Sequence, residues 1–365
     1  MTVINIYDND FNLLGVLDTF TSIIWRPAYY DIGDFEIYTA ATDEAINLLK
    51  ENRLVVRNTD ISVDSSGNIT YRNVMIIKNL ELKTDVENGD YLIVTGREFK
   101  YLLHQRIIWQ QTNLTGTTES AIRRLVNENA INPSDSKRKI PNLILGAITG
   151  LTETIEKQLT GQYLDESIVE ICTTYNYGWE IYGYNNTYVF ILYQGLDRSY
   201  NQSERPYVVF SDSFDNLYNT DYQLETEKYA NTALIAGEGE GTARKTTTVN
   251  NSATGLSRYE LYVDARDLSQ NKDSSTPSEV ISDSEYIKLL QERGNEKLAE
   301  AAITEGFSGE VLSGSGNNFK YGVDFDLGDV VTVINSYGIQ KNVKVLSAIE
   351  SEDENGIKLI PQFNF

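Results

Sequence analysis

Along the first hundred residues, apolar positions alternate with a period of two. Thr2–Tyr7 alternates, Asp8-Asn9-Asp10 turns the chain and Phe11–Leu17 returns, which predicts a hairpin at the N-terminus. Ser22–Arg26 reads as a strand ended by Pro27, and Asp34–Ala40 (DFEIYTA) alternates cleanly. Thr42 is placed to cap a short helix over Asp43–Lys50, whose first turn carries the acidic residues that the helix dipole favours. Arg53–Arg57, Thr70–Lys78, Leu80–Val86 and Tyr91–Gly96 read as further strands. The last two are joined by Glu87-Asn88-Gly89-Asp90, an Asn-Gly hairpin signal. Residues 1–105 are expected to form a mostly antiparallel β domain, with a barrel as its closure.

The period then changes. Thr118–Ala130 places Ile122, Leu125 and Val126 on one side of a helix, and Tyr163–Tyr175 forms a second helix expected to stop at Gly178. Trp179–Tyr184 and Tyr188–Tyr193 read as strands around Asn185-Asn186, so 106–205 is expected to be a small α/β insert. In 206–266 the strand-like runs are Tyr207–Phe210, Thr232–Ala236, Thr247–Val249 and Tyr259–Asp264, the central strands of the chain. A polar linker, Asp267–Ser278, precedes a helix opened by Ser282 and Glu285 at capping-box spacing and running to about Thr304. Gly294 inside that helix costs about 1 kcal/mol against Ala, which implies close packing. Gly306 is expected to end it, so 267–318 reads as linker and long helix. The tail, 319–365, reads as strands at Asp329–Ile334, Ile339–Ile349 and Gly356–Pro361. The fold class expected is α+β, β-dominated.

Composition narrows the function. A chain of 365 residues with 41% apolar content suggests two or three domains with real cores. Its 24 tyrosines favour strands. A net charge of −22 argues against a nucleic-acid binder, since affinity for phosphate rests on Lys and Arg. The single cysteine, Cys172, excludes an internal disulfide or a cysteine-built metal site, and its setting on a helical apolar face reads as packing. The N-terminus lacks the basic and apolar regions of a signal peptide, and no run reaches membrane-spanning length. The expectation is synthesis in the cytoplasm without a membrane anchor.

Catalytic motifs do not emerge. The one histidine, His104, lies in YLLHQRIIW and reads as a packed or edge residue. Neither a nucleophile elbow nor a zinc-protease helix motif is present, and nothing singles out one carboxylate pair for glycoside hydrolysis. Gly237-Glu238-Gly239-Glu240-Gly241, followed by Arg244-Lys245-Thr246, departs from a phosphate loop. Its glutamates would repel phosphate and Thr247–Val249 continues as strand rather than helix. Asp324-Phe325-Asp326-Leu327-Gly328-Asp329 lacks calcium-loop spacing and reads as a turn into a strand. Lys137-Arg138-Lys139 is the only local basic cluster of the insert. The expectation is therefore no catalytic, cofactor-binding or metal residues and no enzymatic activity.

Four stretches carry a resemblance. Trp25, Tyr29 or Tyr30, Gly33, Phe35 and Glu36 fit a W-x-x-x-Y-x-x-x-G-x-F-E pattern, and Tyr177-Gly178-Trp179-Glu180 closes a helix-then-strand piece. The stretch from Val208 to Arg266 and the run Tyr321–Val331 complete the set. In this order they resemble siphovirus tail or baseplate hub proteins across nearly the whole chain. The resemblance implies two tail-tube-like antiparallel β-barrels with smaller α/β insert domains. The first barrel would be 1–105, completed by part of 205–265, and 319–365 would join the second. It also implies a ring-shaped homotrimer at the virion tail tip that lines or closes the DNA channel without binding DNA specifically. The implied partners are the distal tail protein, the tape measure protein and tail fibre, receptor-binding or lysin tip proteins. Rival readings are a tail-associated cell-wall hydrolase and a receptor-binding tail protein.

Overall fold

The computed structural model describes residues 2–85, 89–271, 280–312 and 319–364. Val86, Glu87 and Asn88 of the expected hairpin, and Lys272–Ser278 of the expected linker, lie outside them.

The N-terminal strands are β1 (Ile4–Tyr7), β2 (Leu13–Leu17), β3 (Ser22–Arg26), β4 (Asp34–Ala40) and β5 (Leu54–Arg57). Next come β6 (Ile61–Val63), β7 (Ile69–Tyr71), β8 (Met75–Asp85) and β9 (Gly89–Glu98). Helix α1 (Asp43–Leu48) is capped by Thr42, whose side chain accepts the Ala45 N–H at 3.1 Å. Seven of the strands pair antiparallel in the order β3-β4-β9-β8-β5-β1-β2. Ile4 and Ile6, Ile23 and Trp25, Phe35 and Ile37, Met75 and Ile77, and Leu92 and Val94 all point into one core. These are the i, i+2 pairs that a pleated strand puts on one face. In β5 Val55 enters that core, whereas Leu54 and Val56 enter a second core on the opposite face. A continuous apolar run is what a strand covered on both faces requires.

The expected strand Thr70–Lys78 is in fact two strands in different sheets. The chain breaks at Asn73, which adopts φ +47 and ties its amide to Asp60 at 2.7 Å. Only β8 continues the first sheet. The second core is roofed by α2 (Thr118–Val126), α3 (Leu164–Tyr175) and a sheet in the order β11-β14-β13-β7-β6. Its members from the middle of the chain are β11 (Leu143–Leu145), β13 (Gly178–Tyr184) and β14 (Thr187–Tyr193), while β10 (Thr112–Leu114) pairs separately with β12 (Lys157–Leu159). Helix α3 ends at Tyr175 as expected, but the residue that stops it is Asn176, in the left-handed conformation (φ 62, ψ 45), rather than Gly178. Gly178 is already inside β13.

The remaining strands are β15 (Val209–Ser211), β16 (Tyr218–Glu225), β17 (Thr232–Ala236), β18 (Thr246–Val249) and β19 (Glu260–Asp264). They are followed by β20 (Thr304–Leu312), β21 (Val330–Ile334), β22 (Gln340–Asp353) and β23 (Gly356–Asn364). β16, β20, β23 and β22 pair antiparallel, and β21 joins β22 with β15 parallel to it. This third core holds Phe210, Phe307, Phe325, Val331, Val333, Val345 and Phe363. None of the strands in 206–266 pairs with the N-terminal strands. The link is β22, whose far end registers Glu350 with Trp25, Ser351 with Ile24 and Glu352 with Ile23. A strand of 14 residues with a bulge at Val345/Ser347 is long enough to serve two partners in succession. The expected completion of the first sheet by 205–265 is replaced by this C-terminal strand.

β18, β17 and β19 form their own sheet under α4 (Asp283–Glu300). Ser282 and Glu285 make the full capping box. The helix ends at Glu300 with Ala301 as its C-cap, and Gly306 lies within β20. A Cβ on Gly294 would fall 2.6 Å from Ile235 Cδ1 and 3.0 Å from Val249 Cγ2, both in the buried core beneath. Gly294→Ala is therefore expected to lower the melting temperature. Overpacking of about 1–3 kcal/mol outweighs the roughly 1 kcal/mol that Ala adds to helix propensity. A thermal melt showing higher stability would contradict the packing account.

Helix α4 meets α3 and β12 through polar groups, of which Lys157 and Glu296 are buried and the rest half-buried. The Lys157 ammonium bridges Glu296 and Glu170, and Tyr175 donates to Glu292. Burial pushes the Glu296 carboxyl from 4.5 up to about 7, with Lys157 pulling it down and Glu170 raising it. The folded-state value is the raised one. The contribution of Glu296 to stability is thus fully present below about 4.5 and is lost as the pH rises through about 7. Stability should decline between pH 5 and about 8, and Glu296→Gln should flatten that slope in melts taken across the range. An unchanged slope in the variant would rule this assignment out.

Candidate functional site: a junction of three motifs

Three stretches singled out in the sequence, far apart along the chain, meet in the loop between β3 and β4. Of the two tyrosines that fit the first pattern, Tyr29 is the central one: it is fully buried, and its ring belongs to the third core. Two glycines press on that ring. A Cβ on Gly178 would fall 2.3 Å from Tyr29 Cε2, and one on Gly328 would fall 2.2 Å from the same atom. Gly195 in turn abuts the Gly328 backbone, where a Cβ would lie 1.9 Å from the carbonyl carbon. The Tyr29 hydroxyl donates to the Asn176 carbonyl at 3.2 Å, and its backbone N–H donates to the Leu346 carbonyl at 2.7 Å. One side chain, on the loop between two strands of the first sheet, thus packs against segments of the second and third cores.

The other pattern residues hold that loop in place. Trp25 is buried against Phe35 and donates its indole N–H to the Asn73 carbonyl at 3.0 Å. Gly33 leaves no space for a side chain, since a Cβ would sit 2.0 Å from the Arg26 carbonyl oxygen. Its N–H donates to Glu98 at 2.8 Å. Trp179 donates its indole N–H to the Tyr30 carbonyl at 2.8 Å.

Charge is buried here as well. Lys100, 1% exposed, donates to the Ala28 carbonyl and, at 3.0 Å, to that of Asp31. It lies 3.4 Å from Glu98 and over the Trp179 ring. Burial raises the Glu98 carboxyl, and Lys100 and the Gly33 N–H pull it back down. Arg72 pairs with Glu180 through two bonds of 3.0 and 2.7 Å. Arg57 links Asp60 at 2.6 Å to Glu350 at 2.8 Å, joining the first sheet to the far end of β22. Burial works against the Arg57 charge, but the two carboxylates outweigh it and its pKa is raised. Asp329 accepts from Leu196 N–H at 2.7 Å, Arg198 Nε at 2.8 Å and Asp326 N–H at 3.0 Å. The aspartates of the 324–329 turn are thus engaged in holding the loop before β21. Among the described residues no group of three potential ligands is gathered for a metal.

The remaining sequence candidates do not join this junction. His104 Nδ1 lies 3.0–3.1 Å from the Asp165 carboxylate, and its ring stacks between Tyr101 and Tyr163 at 4.6 and 4.1 Å. Burial raises the Asp165 carboxyl, with His104 opposing. Cys172 is buried in the second core, and burial pushes its thiol pKa up. The glycine-rich run is the turn from β17 to β18. Arg244 closes it through the Gly237 and Ala236 carbonyls and Asp264. Its conformation is satisfied by the chain itself.

A family model described as siphovirus ReqiPepy6 Gp37-like protein matches residues 3–363. The chain belongs to the siphovirus ReqiPepy6 Gp37-like family. The match spans every core described above, so the family relationship extends over the whole fold. No curated protein matches it in sequence. Among solved structures, it is similar to the tail protein from Neisseria meningitidis MC58, with TM-score 0.58 and 13% identity, covering 100% of this chain and 96% of that one. It is likewise similar to the prophage MuSo2 43 kDa tail protein from Shewanella oneidensis, with TM-score 0.58 and 11% identity, covering 99% and 97%. At these identities the likeness establishes a shared fold. Among the described residues, no helix is long and apolar enough to cross a membrane.

Sequence reasoning quoted every motif of the junction but missed Lys100, Glu98, Arg57 and Glu350. Their signal was weak: each is a charged residue in or beside a strand, and only the tertiary fold shows that Lys100, Glu98 and Arg57 are buried and that Glu350 pairs with Arg57.

Proposed function

We propose that this chain is a structural hub protein of the virion tail tip, assembling as a ring-shaped homotrimer around the DNA channel. The observation that carries this reading is the long sheet through the first and third cores, whose main path ends among the described residues in two strands paired on one side only, β2 and β16, with β15 at the end of a side branch. An open edge presents a row of unpaired N–H and C=O groups to another chain. When the two edges of one sheet join between copies, the contact is head-to-tail, and such a contact builds a ring when its rotation closes. The β2 edge also exposes Leu13, Leu14 and Val16. In this reading the two antiparallel assemblies act as the tail-tube-like barrels, and the α/β insert and the α4 unit decorate them.

The proposed neighbours are the distal tail protein above, the tape measure protein in the channel, and fibre, receptor-binding or lysin proteins at the tip. A net charge of −22 suits a conduit through which DNA passes without adhering. The buried junction supports a mechanical role, since its charged groups are engaged with one another and with backbone carbonyls rather than facing a substrate. Gold-labelled antibody against this chain on intact particles should mark only the distal tail end, and native mass spectrometry of the purified protein should give three copies. Label elsewhere on the particle, or a ring of another count, would overturn the reading. Turnover of purified peptidoglycan by this chain alone would favour the hydrolase instead.

A further inference from the structure

We propose that the patch formed by Trp109, Arg106 and the Lys137-Arg138-Lys139 loop is a docking site for a short acidic segment of another protein. This inference does not depend on the hub reading. Trp109 is 64% exposed, whereas Trp25 and Trp179 are fully buried. The Arg138 guanidinium lies over its ring at 5.0 Å and is anchored by the Ile107 carbonyl at 2.6 Å. Arg106 is clipped to the same loop, donating to the Arg138 carbonyl at 2.5 Å and to the Gln105 carbonyl at 2.9 Å. The fold therefore holds two guanidinium groups side by side against their mutual repulsion. Burial and the Arg138 charge both lower the Arg106 pKa.

Among the described residues none of these four cations is paired with a carboxylate, although the chain has 53 acidic residues for 31 basic ones. The one acid of the loop, Asp135, is occupied in capping the Lys137 N–H at 3.0 Å. Lys137 and Lys139 are exposed on either side of the stacked arginine. A flat, pre-positioned guanidinium on an exposed indole, flanked by two ammonium groups, matches carboxylates beside an apolar or aromatic residue. The size of the occupant follows from charge. Beyond about 10 Å, one screening length at 0.1 M salt, a long polyanion would meet the acidic remainder of the molecule. A short carboxylate-bearing segment on a folded partner avoids that repulsion, whereas a phosphate polymer or nucleic acid does not.

The test uses the full-length protein and a fluorescein-labelled peptide with six consecutive glutamates beside one tryptophan. Inorganic polyphosphate and a single-stranded DNA oligonucleotide serve as alternative probes. Saturable anisotropy with the peptide is expected, weakened about tenfold or more in Lys137→Glu/Lys139→Glu. Neither lysine side chain makes a hydrogen bond or ion pair in the described structure, so that variant should keep the parent circular dichroism. Trp109→Ala should weaken the same peptide without altering the fold. The proposal is overturned if the parent does not bind the peptide saturably, or if the double variant binds it equally well. It is also overturned if polyphosphate or DNA, and not the peptide, is the probe that depends on Lys137 and Lys139.

Discussion

Lys100→Met is expected to destabilise the protein by about 3–5 kcal/mol, the usual cost of leaving one partner of a buried ion pair uncompensated. The variant removes the ammonium from Glu98 and from the carbonyls of Ala28 and Asp31, while Glu98 stays out of water. The loss should be largest at neutral pH, where the orphaned carboxylate would carry charge. Lys100→Met/Glu98→Gln should recover much of the stability, because the neutral amide leaves no buried charge and its oxygen can still accept from Gly33 N–H. Melting temperatures of the two variants and the parent give the answer. If the double variant is no more stable than the single one, the ion pair is not what holds the loop.

A second large effect is expected at Gly328, and the chain supplies its own control. Gly328 has φ +85 and Gly67 has φ +83, so an alanine meets nearly the same backbone strain at either place. That strain is about 1–2 kcal/mol. A Cβ at Gly67 meets nothing within 4 Å, whereas at Gly328 it lies 2.2 Å from Tyr29 Cε2. Gly67→Ala should therefore cost only the strain, and Gly328→Ala should cost a further 1–3 kcal/mol or so from overpacking. Equal losses would show that Tyr29 moves aside freely and that the junction is loose.

These sites also separate the legible from the illegible. The hairpin at β1 and β2, the Thr42 cap and the Ser282/Glu285 capping box could be read directly, because each is fixed by neighbours within a few residues. The motif residues Trp25, Gly33, Gly178 and Gly328 could be quoted but not explained, because the atoms they touch are far away in the chain. β16 was missed because its exposed edge position leaves polar residues at most of its sites, YNTDYQLE, so no apolar stripe marks it. β20 was hidden behind the assumption that Gly306 stops a helix. In an edge-near strand paired on both sides a glycine is tolerated, and the cap lay at Ala301 instead.

By itself the sequence determined the β-dominated class, most strands, all four helices in outline, and a whole-chain resemblance that the family match supports. The class, strands and helices follow from periodicity and capping, which are local; the resemblance rested on the quoted motif residues. Only the tertiary structure decided that β7 leaves the first sheet, that β22 crosses to β3 and that Tyr29 lies between Gly178 and Gly328. Such choices rest on partners more than a hundred residues apart. Their pairing energy comes from burial and close approach, and no periodic pattern along the chain encodes it.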